Sequence, residues 1–458
     1  MVTQPTQLND CRQVMILTAD AGFGHRSVAK AIEAALHERH GDRCATTIVN
    51  PLREPGSPPV LQRLAEERHD WYMQSEPGLY DLGYRILDAK AMAALTEQVF
   101  SALLYDPLKN VLDRHQPDVV ISTYPFYLEP LSFVFDRMGQ ALPLVSVITD
   151  LVTVHTLWFS PRVDLCLVPT QQARQKALRN NVPADRIHIT GLPVHPRFAA
   201  ETRSKSEIRA DLGWDTQVPV ALLVGGTRVP HILEIARLID ESGLRVQLAV
   251  IAGGDEKLHA RLAAESWRGQ VYVYGFVKNM PALMHASDLV LSKAGGLIVT
   301  ETLACGRPLI LFSAAGPEWG NVEYATVGGA GDWAPTPSEA LASLTRWLAD
   351  DGAILAERTQ NARQVGRPHA VYSVVDLVWQ LAETGPKPAP RELSVRSAAR
   401  LPLKASTQVS RAIDKLEQDL RGVTDAELAR LATWCVSQIE TETELKRIAD
   451  VVRQRIEA

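Results

Sequence analysis

The stretch "VMILTADAGFGHRSVAKAI" (Val14–Ile32) decides the fold expected of the first part of the chain. Its four leading residues are apolar, as in a buried strand, and apolar residues recur at helical spacing from Val28 onward. Two glycines, Gly22 and Gly24, separate these patterns, and His25 follows the second glycine. The stretch therefore predicts a strand, a glycine turn and a helix.

The same alternation of apolar runs and helical segments continues along the chain and restarts after "GLPVHPRF" (Gly191–Phe198). Before this point it predicts strands at "VMILTA", "ATTIVN", "DVVIST", "LVSVIT" and "LCLVPT". After it we expect strands at "VALLVGG", "VQLAVIAGG", "VYVYGFV", "DLVLSKAGG" and "PLILFSAAG". Strands that alternate with helices indicate parallel sheets covered on both faces, so the predicted fold class is α/β.

The pattern divides the chain into two α/β domains and a C-terminal extension. We expect domains over residues 1–200 and 201–384, a linker rich in proline and basic residues over 385–404, and a helical extension over 405–458. The linker is either solvated or in contact with an anionic lipid surface. An apolar stripe in the extension, Leu428–Ile439, is either a packing face or a lipid-binding helix.

Composition excludes several classes of protein. The chain has 458 residues, 46% of them hydrophobic and 22% charged, which is typical of a globular protein with large cores. A net charge of −5 predicts no general attraction to nucleic acid. No run of 18 or more apolar residues and no signal peptide are apparent, so we expect a cytoplasmic protein with peripheral membrane contact at most. Its 5 cysteines are scattered and never paired as CxxC, which argues against a structural zinc site. Because the sequence also has no Asp-x-Asp pair at a strand end and no His/Cys cluster with metal spacing, we predict no metal.

The opening glycine turn does not fit the common nucleotide motifs. Read as a dinucleotide fingerprint, it has Ser27 in place of the third glycine, and the second strand ends at Asn50 rather than at an acid. No Gly-Lys-Ser/Thr follows, which excludes a P-loop. At this position His25 is either a structural residue at a helix start or a base that takes a proton near neutral pH.

A second strand, glycine turn and helix lies at "SKAGGLIVTETLACGRP" (Ser292–Pro308). The turn at Gly295 and Gly296 would aim backbone N–H groups at a diphosphate, and Lys293 would add a positive charge. Glu301 is too far along the helix to cap it. Its carboxylate is either an acceptor for both hydroxyls of a ribose or an ordinary solvated group.

Several motifs together resemble one known family. They are "GFGHRSVAKAI", "STYPF", "TDLVTVHTLWF", "PTQQARQKAL", "GLPVHPRF", "GFVKNMPALMHASD", "SKAGGLIVTETLACGRP" and "GPEWGNVEY". In this order, over roughly residues 12–375, they resemble the monogalactosyldiacylglycerol synthase and processive diacylglycerol glucosyltransferase family. A more distant resemblance is to the peptidoglycan-precursor N-acetylglucosaminyltransferase.

The resemblance implies a GT-B fold, with two Rossmann-like domains facing across a cleft. The C-terminal domain would hold a UDP-sugar as co-substrate, with no other cofactor, and the N-terminal domain would receive the acceptor. The implied reaction is inverting transfer of galactose or glucose from a UDP-hexose to diacylglycerol, at the cytoplasmic face of the membrane. "SEPGLYDLGYRILD" (Ser75–Asp88) resembles the acceptor-side segment.

The resemblance also implies roles for individual residues. His25 falls on the position proposed for the base. The backbone of Phe276 and Val277 would read uracil, and Gly295 and Gly296 would meet the diphosphate. The whole implied donor-binding set is Gly225, Gly226, Arg228, Phe276, Val277, Lys293, Gly295, Gly296, Glu301 for the ribose, and Glu318 and Asn321 for the sugar. The acceptor-side set is Gly22, Phe23, Gly24, Asp150, His155 and Trp158.

This sequence departs from the family pattern at three places. Phe23 occupies the middle of a glycine triplet, the loop "VGGTRVP" (Val224–Pro230) lacks a later glycine, and Pro317 replaces a glutamine before Glu318. The departures leave two alternatives open. One is a UDP-hexose or UDP-N-acetylhexosamine transferase with another acceptor, and the other is a non-catalytic protein that binds sugar nucleotides. The oligomeric state is not indicated by the sequence.

Overall fold

The computed structural model describes residues 11–21, 24–62, 88, 97 and 100–389. The chain forms two compact units. The first unit comprises the described residues of Met1–Thr149, Val154–Thr190 and Tyr372–Ala458, and the second comprises Asp150–Thr153 and Gly191–Val371. Gly22, Phe23, most of the predicted linker and the predicted helical extension lie outside the described residues.

Fourteen strands occur among the described residues, two of them only two residues long. They are β1 (Arg12–Leu17), β2 (Cys44–Val49), β3 (Val119–Ser122), β4 (Gln140–Ala141), β5 (Leu144–Val147), β6 (Leu165–Val168), β7 (Ile187–Ile189), β8 (Val220–Val224), β9 (Gln247–Ile251), β10 (Val271–Tyr274), β11 (Leu289–Lys293), β12 (Leu309–Ser313), β13 (Gly331–Trp333) and β14 (Lys387–Pro388). All ten strands expected from the sequence are among them.

Helices connect these strands in the same part of the chain. They are α1 (Gly24–His40), α2 (Pro59–Gln62), α3 (Tyr105–His115), α4 (Leu128–Met138), α5 (Gln171–Arg179), α6 (Lys205–Leu212), α7 (Ile232–Glu241), α8 (Glu256–Ala263), α9 (Met280–Ala286), α10 (Gly296–Ala304), α11 (Glu318–Val327), α12 (Pro337–Leu348), α13 (Ala353–Val365) and α14 (Ala370–Ala382). Local chemistry marks several starts: Ser204 with Glu207 and Thr336 with Glu339 form capping boxes at α6 and α12.

The first unit is built on a parallel sheet of order β2-β1-β3-β5-β6-β7. The residues of β1 from Val14 to Leu17 are buried, because helices cover both faces of a parallel sheet. β7 was not expected from the sequence. It is three residues long, carries His188 at its centre and ends on a half-exposed Ile189, so it lacks the apolar run that identifies a buried strand.

The second unit is built on a parallel sheet of order β10-β9-β8-β11-β12-β13. Its edge strand β13 also escaped prediction, because "GDW" contains a glycine and an aspartate and no apolar run. The order of strands reverses between β8 and β11 here, and between β1 and β3 in the first unit. In open α/β sheets a crevice for ligands forms beyond the carboxyl ends of the strands at such a reversal.

The units divide at Thr190 and Gly191, ten residues before the boundary expected from the sequence. The chain also returns to the first unit at Tyr372, where the sequence suggested a continuous second domain to residue 384. Aromatic side chains of α14 explain the return: Trp379 stacks on His40 with ring centroids 3.6 Å apart, and Tyr372 donates a 2.9 Å hydrogen bond to Glu38. Within the described residues, no helix combines the length and apolar character needed to span a membrane.

One close contact in the second unit requires a glycine and yields a prediction. Gly366 ends α13 against α10, and a Cβ atom placed there would lie 2.1 Å from the backbone oxygen of Leu303. We expect Gly366→Ala to lower the free energy of unfolding by about 1–3 kcal/mol, because a backbone carbonyl cannot rotate aside as a side chain can. Chemical denaturation measures the change.

The matched control is Gly254→Ala, since a Cβ at Gly254 would meet nothing within 4 Å. We expect its unfolding midpoint to stay near that of the unsubstituted protein. Equal stability of the two variants would contradict the close contact at Gly366.

Candidate functional site

His25 lies at the reversal in the first sheet, in the first turn of α1. Its Nδ1 atom is 2.7 Å from the carbonyl oxygen of Thr123, which directly follows β3, and 3.1 Å from the Oγ1 of Thr149. A carbonyl oxygen only accepts hydrogen bonds, so Nδ1 must carry the proton and donate it to Thr123. In the neutral ring the lone pair is therefore on Nε2, which makes Nε2 the basic atom.

Two aromatic rings lie beside the ring of His25. Tyr124 meets it edge-on with centroids 5.0 Å apart, and Trp158 is tilted against it at 6.0 Å. Trp158 is buried, and its backbone carbonyl accepts a 3.3 Å hydrogen bond from Ser146 on β5. Gly24, at the start of the same helix, has open space where a side chain would be. The structure thus brings Gly24, His25 and Trp158 of the predicted set into one region.

Of the other acceptor-side residues, Gly22 and Phe23 lie outside the described residues, and His155 and Asp150 precede Trp158 along the chain. His155 begins the short 3-10 turn Thr156–Trp158, and its Nδ1 accepts the backbone N–H of Leu157 at 3.2 Å. Asp150 belongs to the short segment Asp150–Thr153 of the second unit. There Thr153 approaches Gly320 so closely that a Cβ on that glycine would lie 2.5 Å from the Thr153 nitrogen.

The predicted diphosphate turn lies at the reversal in the second sheet. Gly295 follows β11 and precedes the first residue of α10, so the first N–H groups of that helix point out of the carboxyl edge. The ammonium of Lys293 is 2.6 Å from the carboxylate of Glu318, and both side chains are largely buried. The other oxygen of Glu318 accepts the backbone N–H of Ala315 at 3.1 Å.

Asn321 joins the same group through the backbone. Its side-chain amide donates a 2.8 Å hydrogen bond to the carbonyl of Ala294, which fixes the orientation of the amide. The structure therefore brings Lys293, Gly295, Glu318 and Asn321 together. Their spacing in the sequence does not indicate this proximity. A positive charge, helix N–H groups and two oriented polar side chains suit a phosphorylated sugar ligand.

Gly225 and Gly226 follow β8, the strand beside β11. A Cβ on Gly225 would lie 2.7 Å from the carbonyl oxygen of Ile251, and Gly226 has a φ of +151°, so both positions favour glycine. Arg228 lies two residues further along the same loop. The glycines therefore permit a close approach of the loops after β8 and β9.

Phe276, Val277 and Glu301 lie apart from the group formed by Lys293, Gly295, Glu318 and Asn321. Phe276 and Val277 follow β10, and 77% of the Phe276 residue is exposed, which suits a role for its backbone rather than for its ring. Glu301 is partly buried on α10, and the loss of hydration raises the pKa of its carboxyl to about 8. No described contact joins these residues to Lys293 or Asn321.

Sequence reasoning missed the residues that orient His25. Thr123 and Thr149 are 98 and 124 residues away from it along the chain. One signal was available: both are the last residues of predicted strands, and Thr123 directly follows Ser122, which pairs with Leu17 of β1. Parallel pairing would have placed Thr123 beside the first glycine turn.

Solved structures that share this fold define its class as GT-B, as the resemblance implied. A putative UDP-N-acetylglucosamine 2-epimerase from Listeria monocytogenes matches with a TM-score of 0.54 at 16% identity, over 82% of this chain and 98% of that one. MurG of Acinetobacter baumannii matches with a TM-score of 0.51 at 17% identity, over 81% of this chain and 99% of that one.

Sequence comparison identifies the family. The family model for monogalactosyldiacylglycerol (MGDG) synthase matches residues 25–194, and the model for the glycosyltransferase family 28 C-terminal domain matches residues 221–316. The monogalactosyldiacylglycerol synthase of Spinacia oleracea is 30% identical over 378 residues, which cover 80% of this chain and 71% of the relative. Monogalactosyldiacylglycerol synthase 3 of Arabidopsis thaliana is 30% identical over 383 residues, covering 81% and 82%. The chain belongs to the monogalactosyldiacylglycerol synthase family and is a glycosyltransferase, as expected.

The ion pair in the second unit yields a prediction. We expect Lys293→Met to lower the free energy of unfolding by about 1–3 kcal/mol, because it leaves the Glu318 carboxylate largely buried without its cation. The double variant Lys293→Met/Glu318→Gln removes both charges, so it should lose less stability than the two single variants added together. A double-mutant cycle measured by chemical denaturation checks this coupling, and strictly additive effects would contradict it.

Proposed function

We propose that the protein transfers a hexose, galactose or glucose, from a UDP-hexose to diacylglycerol with inversion at the anomeric carbon. One observation supports the chemistry above others: the hydrogen bond from His25 Nδ1 to the Thr123 carbonyl leaves Nε2 as the base. Membership of the monogalactosyldiacylglycerol synthase family supports the choice of donor and acceptor.

In this proposal the second unit binds the donor. The N–H groups at the start of α10 and the ammonium of Lys293 stabilise the negative charge that develops on the departing UDP. Glu301 accepts the ribose hydroxyls, the backbone of Phe276 and Val277 reads uracil, and the loop of Gly225, Gly226 and Arg228 completes the site. Glu318 and Asn321 bind the hexose.

The first unit acts on the acceptor. Nε2 of His25 takes the proton of the diacylglycerol hydroxyl while the oxygen attacks the anomeric carbon from the face opposite to UDP. The bond to UDP breaks as the new glycosidic bond forms, and the imidazolium that results is stabilised by its Nδ1–H donating to Thr123. We propose further that the enzyme contacts the cytoplasmic face of a membrane peripherally, because its acceptor is a lipid, and that it needs no metal.

Incubation of the purified protein with radiolabelled UDP-galactose or UDP-glucose and diacylglycerol in mixed micelles tests the reaction. Galactosyl- or glucosyldiacylglycerol of inverted anomeric configuration, identified by mass spectrometry and NMR, is the expected product. Transfer to other lipids or from UDP-N-acetylhexosamine would favour a related transferase, and UDP-sugar binding without turnover would favour a non-catalytic binding protein. A third outcome, conversion of the sugar nucleotide without an acceptor, would indicate an epimerase.

Substitution of His25 tests the base. We expect His25→Asn to lower kcat by about 10² to 10⁴-fold, because the amide N–H can still donate to Thr123 but no atom remains to take the proton. UDP binding, measured by calorimetry, should stay unchanged. The control Lys30→Gln alters an exposed residue of the same helix and should keep full activity. Near-normal turnover by His25→Asn would remove His25 from the mechanism.

Substitution of Glu301 tests the ribose contact and yields a pH dependence. Above about pH 8, where the Glu301 carboxyl is ionised, we expect Glu301→Gln to weaken UDP binding about tenfold or more, since the amide offers one acceptor oxygen in place of two. The same variant should be more stable than the unsubstituted protein at pH 8. The folded protein keeps the Glu301 proton up to about pH 8, whereas the unfolded chain releases it near pH 4.5, so stability falls as pH rises between these values.

Thermal unfolding across this pH range measures the change in stability, and UDP calorimetry above about pH 8 measures the change in affinity. The control is Glu97→Gln in the first unit, because burial and the charge of Glu129 raise the pKa of Glu97 to about 8 as well. It should gain stability at pH 8 and leave UDP affinity unchanged. Unchanged UDP affinity in Glu301→Gln would contradict the ribose contact.

A further inference from the structure

Asp88 contacts residues of the first unit that lie far from it along the chain. It ends the stretch Ser75–Asp88, whose other residues lie outside the described part of the chain. Its Oδ1 accepts the backbone N–H of Thr156 at 2.5 Å, and its other oxygen lies 2.9 Å from the ammonium of Lys176. The Nδ1 of His155 is 3.8 Å from the same carboxylate.

The contact with Thr156 provides a hydrogen-bond acceptor for the first N–H group of a short turn. The turn Thr156–Trp158 closes through the N–H of Trp158 donating to His155 and that of Phe159 donating to Thr156. Its first two N–H groups cannot bond within the turn, as at any helix start. Asp88 accepts the first of them and the ring of His155 accepts the second.

The far end of this turn carries the ring beside the base. Trp158 is buried with 1% exposure, its carbonyl accepts from Ser146, and its ring lies 6.0 Å from the ring of His25. The turn is only three residues long and Trp158 is tightly packed. Loss of the contact at Thr156 would therefore shift the ring of Trp158. The position of Trp158 in turn limits the position of His25.

The charge of Asp88 is maintained at neutral pH. Burial alone would raise the pKa of its carboxyl, but the charge of Lys176 and the hydrogen bonds of Lys176 and Thr156 lower the pKa below its usual value. An ionised carboxylate accepts an N–H more strongly than a neutral group does.

We propose that Asp88 is a positioning residue for the transfer reaction, in which its carboxylate holds the turn Thr156–Trp158 and, through Trp158, the pocket of His25. The inference rests on the proposed function, because His25 is taken as the base. It also links the end of the stretch Ser75–Asp88, which resembles the acceptor-side segment, to the pocket in which the acceptor hydroxyl would react.

Three variants separate positioning from simple stabilisation. Asp88→Ala removes the acceptor for Thr156, and we expect kcat to fall about tenfold to a hundredfold with the KM for UDP-hexose little changed. Asp88→Asn keeps a carbonyl oxygen for Thr156 but loses the ion pair, so it should restore most of kcat. Lys176→Met loses only the ion pair and should keep kcat.

Thermal unfolding of the three variants provides the comparison. All three lose the pairing of Asp88 with Lys176, so their melting temperatures should fall together, whereas kcat should fall strongly only in Asp88→Ala. If kcat instead follows the melting temperature in all three variants, or if Asp88→Ala keeps kcat within about twofold, Asp88 has a structural role alone.

A second readout does not depend on the acceptor. Diethylpyrocarbonate modifies accessible histidines, and peptide mass spectrometry gives the rate at His25 itself. We expect this rate to change severalfold in Asp88→Ala and to stay unchanged in Asp88→Asn and Lys176→Met. If the unsubstituted protein transfers no hexose to diacylglycerol, the proposed function fails while this labelling still tests Asp88. Equal rates at His25 in all variants would overturn the positioning role.

Discussion

In each unit, parallel pairing of one central strand with two neighbours determines where the candidate site residues lie. β1 pairs with β2 and β3, and β8 pairs with β9 and β11. The chain adds strands in opposite directions on the two sides of each central strand, so the connections diverge at the carboxyl edge and leave a crevice there. The residue pair His25 and Thr123 follows the first such edge, and the turn at Gly295 follows the second.

Backbone groups orient the reactive side chains at both edges. Thr123 orients His25, Ala294 orients Asn321 and Ala315 orients Glu318, each through a main-chain carbonyl or N–H. Because main-chain groups of the fold hold these side chains, they would need little reorganisation in the proposed reaction, when charge develops on the substrate. The arrangement has a cost in stability, since burial keeps Glu301 protonated well above the usual pKa of a carboxyl. A site that binds hydroxyls and phosphates retains polar groups that a purely structural core would not.

The sequence predicts what depends on local patterns and misses what depends on distant contacts. Ten strands, the glycine turn at Gly295 and the family follow from apolar runs and motif order. β7 and β13 were missed because three-residue edge strands with polar residues carry no apolar run. The partners of His25 were missed because they are about a hundred residues away along the chain. The return of the chain at Tyr372 depends on stacking between His40 and Trp379, which no local pattern indicates.

Pro317 departs from the family pattern, and this departure leaves fewer residues to recognise the donor sugar. Proline is accepted here because the position precedes the first residue of α11, with φ and ψ of −64° and −15°, where a missing N–H breaks no helical hydrogen bond. The replaced glutamine would have offered an amide to the donor sugar, whereas proline offers only a carbonyl. Galactose and glucose differ in the direction of one hydroxyl, and only directional hydrogen bonds distinguish them. On the proposed assignment this discrimination falls to Glu318 and Asn321, whose orientations are set by Ala315 and Ala294 rather than by residue 317.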